Sequence, residues 1–208
     1  MIRNVIWDVD GTLFDTYPSI VRAFVVAAEA LGRTADSTEV ERLGKVGLTH
    51  CTKELALRLD LDGNELGTRF AAAYRAIPAS VQPPFEGVRH ICEEIIARGG
   101  TNAILTHRGR LSTLELLSTH CMTQLFTEII ADDDGLPKKP DPAGFLRLLE
   151  QLGLDPAQTA AIGDRDLDIL AGKAAGLRTC LFRGEPSHSR PDFAFSNYAD
   201  LVGYLQLP

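Results

Sequence analysis

The sequence predicts an α/β fold: a doubly wound parallel sheet with a small all-helical block inserted after its first strand. Three observations carry this expectation. From about residue 87 onward, short β-rich runs alternate with helical periodicities, and that alternation implies a parallel sheet covered on both faces. One further strand opens the chain at 2–7, and residues 16–80 then keep helical spacing with no strand between. The chain has 208 residues, 45% hydrophobic and 24% charged, enough for one core domain plus an insertion. The boundaries follow: residues 1–15 and 82–208 form the sheet domain, and residues 16–81 the helical one.

The elements can be justified in order. Ile2 to Trp7 is a β-rich run that stops abruptly at Asp8 and Gly11. Ile20, Phe24, Ala28 and Leu31 share one helical face, with Asp15 or Thr16 as cap, Pro18 in the first turn and Gly32 at the end. Helical patterns follow at about 50–59 and 64–77, the second striped by Leu66, Phe70, Ala73 and Ile77. Pro83, Pro84 and Gly87 punctuate the block. Beyond it, a helix near 87–98 leads to the strand Asn102–Leu105. A helix near 110–120, a strand near 128–131 and a helix near 142–152 come next. Thr159 to Ile162 is a strand, about 166–175 a helix, and Arg178 to Phe182 a strand. A strand at Phe193–Phe195 and a helix at 198–205 close the pattern.

Composition narrows the classes of function. A net charge of −7 does not favour nucleic acid or an anionic membrane. Cys51, Cys92, Cys121 and Cys180 are widely spaced, so neither a zinc site nor a redox pair nor a disulfide framework is expected. No apolar run reaches membrane-spanning length and no targeting signal is visible, which points to the cytoplasm. His50, His90, His120 and His188 lack ligand spacing and read as structural.

Ligands of open parallel sheets bind at the carboxyl ends of the strands. Four such ends carry reactive residue types here. The first is Asp8-Val9-Asp10-Gly11-Thr12, with two carboxylates at i and i+2 and a glycine for a tight turn. The second is Thr106-His107-Arg108-Gly109. The third leads through Asp132-Asp133-Asp134 to Lys138-Lys139-Pro140, and the fourth is Gly163-Asp164-Arg165-Asp166-Leu167-Asp168. Each alone is explained by ordinary turn and cap chemistry. Turn chemistry does not call for this many acids, a hydroxyl and an ammonium at strand ends that can converge.

In order and placement these motifs resemble those of the haloacid dehalogenase superfamily, in its phosphoglycolate phosphatase-like branch. The resemblance covers nearly the whole chain. It implies a Rossmann-like core, with the helical block as a cap inserted after the first strand. It further implies a phosphatase of small phosphorylated metabolites that uses Mg²⁺, with Asp8 as nucleophile forming an aspartyl-phosphate. Asp8, Asp164 and the backbone carbonyl of Asp10 are then the metal ligands. Asp10 is the general acid and base, and Thr106 and Lys139 hold the phosphoryl group. Lys139 is preferred to Lys138 because it directly precedes the proline. Asp168 stands behind these groups, orienting a water on the metal or Lys139.

The departures leave readings open. His107 stands where asparagine is frequent, and either tunes the general acid or packs and offers its backbone N–H. Arg165 stands where a small hydroxyl residue is frequent. Arg108 and Arg165 either bind a second anionic group of the substrate or pair with surface acids such as Asp166. The acidic run 132–134 reads as a solvated turn rather than a metal contact. Lys45-Val46-Gly47-Leu48-Thr49-His50 is the candidate specificity loop of the cap, with Lys45 and Thr49 reading the substrate, against a plain helix-to-helix turn. A phosphomutase of the β-phosphoglucomutase type is the main rival. A dehalogenase, a phosphonate hydrolase and a non-catalytic phosphate-binding protein stand further off. Oligomeric state is not legible.

Overall fold

The computed structural model describes residues 1–184 and 189–206, so His188 lies outside the described residues. Among the described residues, six strands form one parallel sheet: β1 (Asn4–Trp7), β2 (Asn102–Leu105), β3 (Glu128–Ile130), β4 (Thr159–Gly163), β5 (Arg178–Phe182) and β6 (Phe193–Phe195). Their spatial order is β3-β2-β1-β4-β5-β6, so the chain winds outward in both directions from β1. The central strands are buried almost end to end, as a sheet covered on both faces requires. The register sets Trp7 beside both Ile104 and Ile162, so the residues that follow β1, β2 and β4 emerge at one level.

The helices of this sheet unit are α5 (Val88–Ala97), α6 (Arg110–Thr119), α7 (Ala143–Leu152), α8 (Asp166–Ala174) and α9 (Tyr198–Leu205). Ile6, Ala103, Phe145, Leu148, Ala161 and Ala171 belong to one buried cluster that joins β1, β2 and β4 to α7 and α8. Tyr198 packs on Trp7 and Phe182, at centroid separations of 6.3 and 4.7 Å. The buried Trp7 indole N–H donates to Asn102 Oδ1 at 3.0 Å, so the large ring is buried without an orphaned donor.

The chain divides into two compact units, Met1–Phe14 with Pro84–Pro208, and Asp15–Pro83. The second is a bundle of α1 (Tyr17–Glu29), α2 (Ser37–Val46), α3 (Leu48–Leu59) and α4 (Gly63–Arg75). Ile20, Phe24, Leu43, Leu55, Leu66 and Phe70 form its core, with Phe24 and Phe70 stacked at 3.9 Å. Asp36 and Asp62 cap α2 and α4 by accepting the N–H groups of Glu39 and Glu65. Its two ends meet: Asp15 N–H donates to Pro83 O at 2.9 Å. In the sheet unit, the flanking Phe14 and Pro84 form an antiparallel bridge.

Three local expectations need correction. β1 begins at Asn4 rather than Ile2. Thr16 occupies the position before α1 without a side-chain capping bond. Residues 45–50 are not a loop: Lys45 and Val46 end α2, Leu48 begins α3, and Gly47 alone separates them. With φ at 155°, Gly47 takes a backbone conformation that side-chain-bearing residues rarely adopt, so one residue suffices for the corner. All four cysteines are free, with Cys51, Cys92 and Cys180 buried and Cys121 exposed. Among the described residues no helix is long and apolar enough to cross a membrane.

Candidate active site

The parallel register delivers the site. Asp8 directly follows Trp7, and its N–H continues the ladder to Ile162 O at 2.9 Å. The chain then turns sharply, with Phe14 N–H on Val9 O at 3.0 Å and Gly11 at φ +76°, a conformation that favours glycine. Tyr198 secures the turn from outside by donating its buried hydroxyl to Thr12 O at 2.6 Å. Beyond β2, the buried hydroxyl of Thr106 accepts the Arg108 N–H at 3.1 Å. Beyond β4, Asp168 in the first turn of α8 reaches back to accept the Arg165 N–H at 3.1 Å. A Cβ on Gly163 would lie 2.4 Å from Asp168 Cγ, so only glycine admits this approach.

Lys139 joins these strand ends. Its ammonium donates to Asp8 Oδ1 at 2.9 Å and to the Leu105 carbonyl at 3.0 Å, and lies 2.5 Å from Asp168 Oδ1. The side chains of Lys139, Asp8 and Asp168 are each 2% exposed, so water does little to screen them. Lys138 points away and pairs with Asp132 at 2.6 Å. One oxygen each of Asp8, Asp164 and Asp168 lies within 4.8 Å of the others. Asp8 Oδ2 is buried with no hydrogen-bond partner.

The electrostatics follow from this crowding. Burial raises the pKa of Asp8, but Lys139 and then Arg165 outweigh it and hold the carboxyl below its ordinary value. Asp168 moves the other way: burial and the nearby Asp8 charge raise it despite Lys139. Burial disfavours the Lys139 cation, yet Asp168 and Asp8 prevail and keep it charged above the usual lysine range. One ammonium between two carboxylates therefore secures the charge of Asp8 more firmly than that of Asp168.

The residues whose readings were left open make contacts that spacing did not reveal. His107 Nε2 accepts the backbone N–H of Lys139 at 2.9 Å, so the imidazole ties the lysine loop to β2. Burial first, then the Lys139 and Arg165 charges, push its pKa down to about 4, so the ring is neutral and able to accept. Arg108 Nη1 bonds Asp10 Oδ1 at 2.9 Å. Arg165 turns its guanidinium toward Asp8, Asp164 and Asp168 at 3.7–3.9 Å. The sequence signal for this last contact was a cation set directly after Asp164. The run 132–134 forms a short turn in which Asp132 pairs with Lys138 and Asp134 with Arg110. Lys45 belongs to the helical unit, where it pairs with Glu41 at 2.7 Å and lies over the Tyr17 ring. A cavity of about 280 Å³ lined by Ile2, Arg3, Val5, Ile95, Arg98 and Leu205 gathers none of these groups.

The model of the haloacid dehalogenase-like hydrolases matches residues 5–182. The chain belongs to that family. Among relatives of this hydrolase, a phosphoglycolate phosphatase of Vibrio parahaemolyticus is 30% identical, over 97% of this chain and 95% of its own. The pyrophosphatase PpaX of Halalkalibacterium halodurans is also 30% identical, over 97% and 95%. The crystal structure of a predicted phosphoglycolate phosphatase from Haemophilus somnus superposes with a TM-score of 0.85 at 22% identity, over 98% of this chain and 97% of that one. At that identity it speaks for the fold.

Proposed function

We propose that this haloacid dehalogenase-like hydrolase releases phosphate from small phosphate monoesters, with Asp8 as the nucleophile. One observation carries the reading. Asp8 has one oxygen held by Lys139 and the other buried without a hydrogen bond, at the ends of strands that also deliver Asp10, Thr106 and Asp164. A carboxylate so oriented and kept ionised is prepared to attack phosphorus.

The donor set suits Mg²⁺, which prefers oxygen ligands and keeps several waters. Asp8 and Asp164 would hold it, with the Asp10 carbonyl as a third ligand, and Asp168 behind them already engaged by Lys139 and the Arg165 N–H. When bound, the ion offsets the repulsion between an anionic nucleophile and an anionic ester. The chain's own groups do the rest. Asp8 forms a bond to phosphorus as the ester oxygen departs, and Asp10 gives that oxygen its proton. Asp10 then takes a proton from the water that displaces Asp8 from phosphorus, which restores both carboxyl groups. Arg108 fixes one Asp10 oxygen and leaves the other for this exchange. Lys139 neutralises the phosphoryl charge, and Thr106 with the turn N–H groups orients its oxygens.

The helical unit, residues 16–81 in this reading, acts as the cap that selects among small cytoplasmic metabolites and excludes water. The names of the two relatives make phosphoglycolate and pyrophosphate the first substrates to try. The deciding experiment measures phosphate release from an aryl phosphate and from both of these, with and without Mg²⁺, in wild type and Asp8→Asn. Mg²⁺-dependent turnover that disappears in the variant is expected. Equal release by both proteins would end the proposal, and transfer to a sugar exceeding release to water would convert it to a phosphomutase.

A further inference from the structure

Tyr198 reaches the turn after β1 from the far end of the chain. It opens α9, which Asn197 caps by accepting the Asp200 N–H at 3.1 Å. Its ring is wedged among Trp7, Phe182 and Phe195, at centroid separations of 6.3, 4.7 and 5.4 Å. A Cβ added to Gly87 would lie 3.1 Å from the Tyr198 Cβ, so this side is closed as well. Packed in this way, the phenol has little freedom of direction. Its buried hydroxyl needs an acceptor, and the acceptor is the Thr12 carbonyl at 2.6 Å, 186 positions away in sequence.

The bond bears on Asp10 through a short series of peptide groups. The Thr12 and Leu13 carbonyls are consecutive, and both are held from outside the turn. Tyr198 holds the first, and the Phe85 N–H holds the second at 3.0 Å. The next carbonyl, of Phe14, accepts the Gly11 N–H at 2.9 Å. That N–H belongs to the peptide plane that joins Asp10 to Gly11, and in a trans peptide the C=O points the opposite way across the same plane. Phe14 O therefore sets the direction of the Asp10 carbonyl, and the two outside ties set the place of Phe14 O. The Asp10 carboxyl has a separate tie, to Arg108 at 2.9 Å.

Resting on the reading that the Asp10 carbonyl is a ligand of a divalent ion, we infer that Tyr198 is a positioning residue for that ion. Its hydroxyl aims the Asp10 carbonyl toward the place where Asp8 and Asp164 converge. Without the bond the Thr12 peptide can rotate, the hold of Phe14 O on Gly11 loosens, and the carbonyl loses its aim. Asp8 keeps its own anchor, the bond from its N–H to Ile162 O. The loss falls on metal affinity.

The test is calorimetric titration of MgCl₂ into metal-free wild type, Tyr198→Phe, Leu205→Ala and Asp164→Asn, with thermal unfolding of each. Tyr198→Phe keeps the ring and removes the hydroxyl. It is expected to bind Mg²⁺ at least ~fivefold more weakly than wild type. Its phosphate release from an aryl phosphate falls at limiting Mg²⁺ and returns to within ~threefold of wild type at saturation. Leu205→Ala empties a buried position at the other end of α9. It unfolds at a temperature at least as low as Tyr198→Phe, yet keeps Mg²⁺ affinity within ~twofold of wild type. A phenylalanine variant that binds Mg²⁺ as tightly as wild type would overturn the inference. So would equal weakening in Leu205→Ala, which would mark a general loosening of α9. If wild type takes up Mg²⁺ no better than Asp164→Asn, the metal site itself fails and this inference with it. That result is distinct from a site that binds the ion but ignores Tyr198.

Discussion

Replacing Lys139 with methionine keeps an unbranched side chain one atom shorter and removes its charge. The lost contacts are the 2.9 Å bond to Asp8, the 2.5 Å pair with Asp168 and the 3.0 Å bond to the Leu105 carbonyl. Both carboxylates are 2% exposed, so water does not replace the ammonium. Removing one member of a buried pair costs about 3–5 kcal/mol, mostly because the remaining charge is stranded. A stranded carboxylate can escape by taking up a proton, and Asp168 is already pushed that way by burial and by Asp8. The loss therefore depends on pH. In the variant the folded state holds more protons than the unfolded chain, so its stability falls as pH rises. We expect urea denaturation in chelator to show a loss of about 3 kcal/mol at pH 8 and a smaller one at pH 6. The added change Asp168→Asn should restore at least about 1 kcal/mol at pH 8. A loss below about 1 kcal/mol at pH 8, or one that shrinks as pH rises, would refute the argument from buried charge.

Two further outcomes follow from the same geometry. The His107 pKa, about 4 in the folded protein against an ordinary 6.5, means that the unfolded chain binds the extra proton between those values. Stability is then complete above the higher value and declines toward the lower. Discounted for partial exposure, the wild type should lose about 1–2 kcal/mol more than His107→Asn on acidification through that window, read from urea midpoints. Equal pH dependence in the two proteins would dismiss the clamp on Lys139. Gly163→Ala sets a methyl group 2.4 Å from Asp168 Cγ, so the aspartate must move off Lys139. A loss of about 1–3 kcal/mol is expected, with phosphate release reduced at least ~tenfold; unchanged turnover would show Asp168 to be dispensable.

The sheet was readable because its strands are buried on both faces and their apolar runs are sharply bounded. β2, β5 and β6 lie where the sequence put them, and α9 likewise. α2 was not separately legible, because it buries only Val40, Leu43 and Gly44 and displays charge elsewhere, which leaves a weak periodic signal. The corner at Gly47 was hidden for a related reason: two helices joined by one residue read as a loop when the first goes unseen. In the site, Lys139 was picked out by the resemblance, as the lysine before the proline, and the closeness of Asp8 and Asp164 was legible because short side chains just past strand ends have little choice of direction. The targets of Arg108, Arg165 and His107 were not. A long side chain sweeps a wide volume, and the partner of His107 is a backbone N–H 32 residues away.

Residues 14–15 and 83–84 are the points at which the chain passes between its two compact units. Asp15 closes on Pro83 and Phe14 on Pro84, so the chain departs from and rejoins the sheet unit at a single seam. Whatever is spliced in between those residues, long or short, leaves the alignment of Trp7 with Ile104 and Ile162 untouched. The fold is thus a socket. A graft of a foreign helical segment between Phe14 and Pro84 should leave the carboxylate cluster assembled.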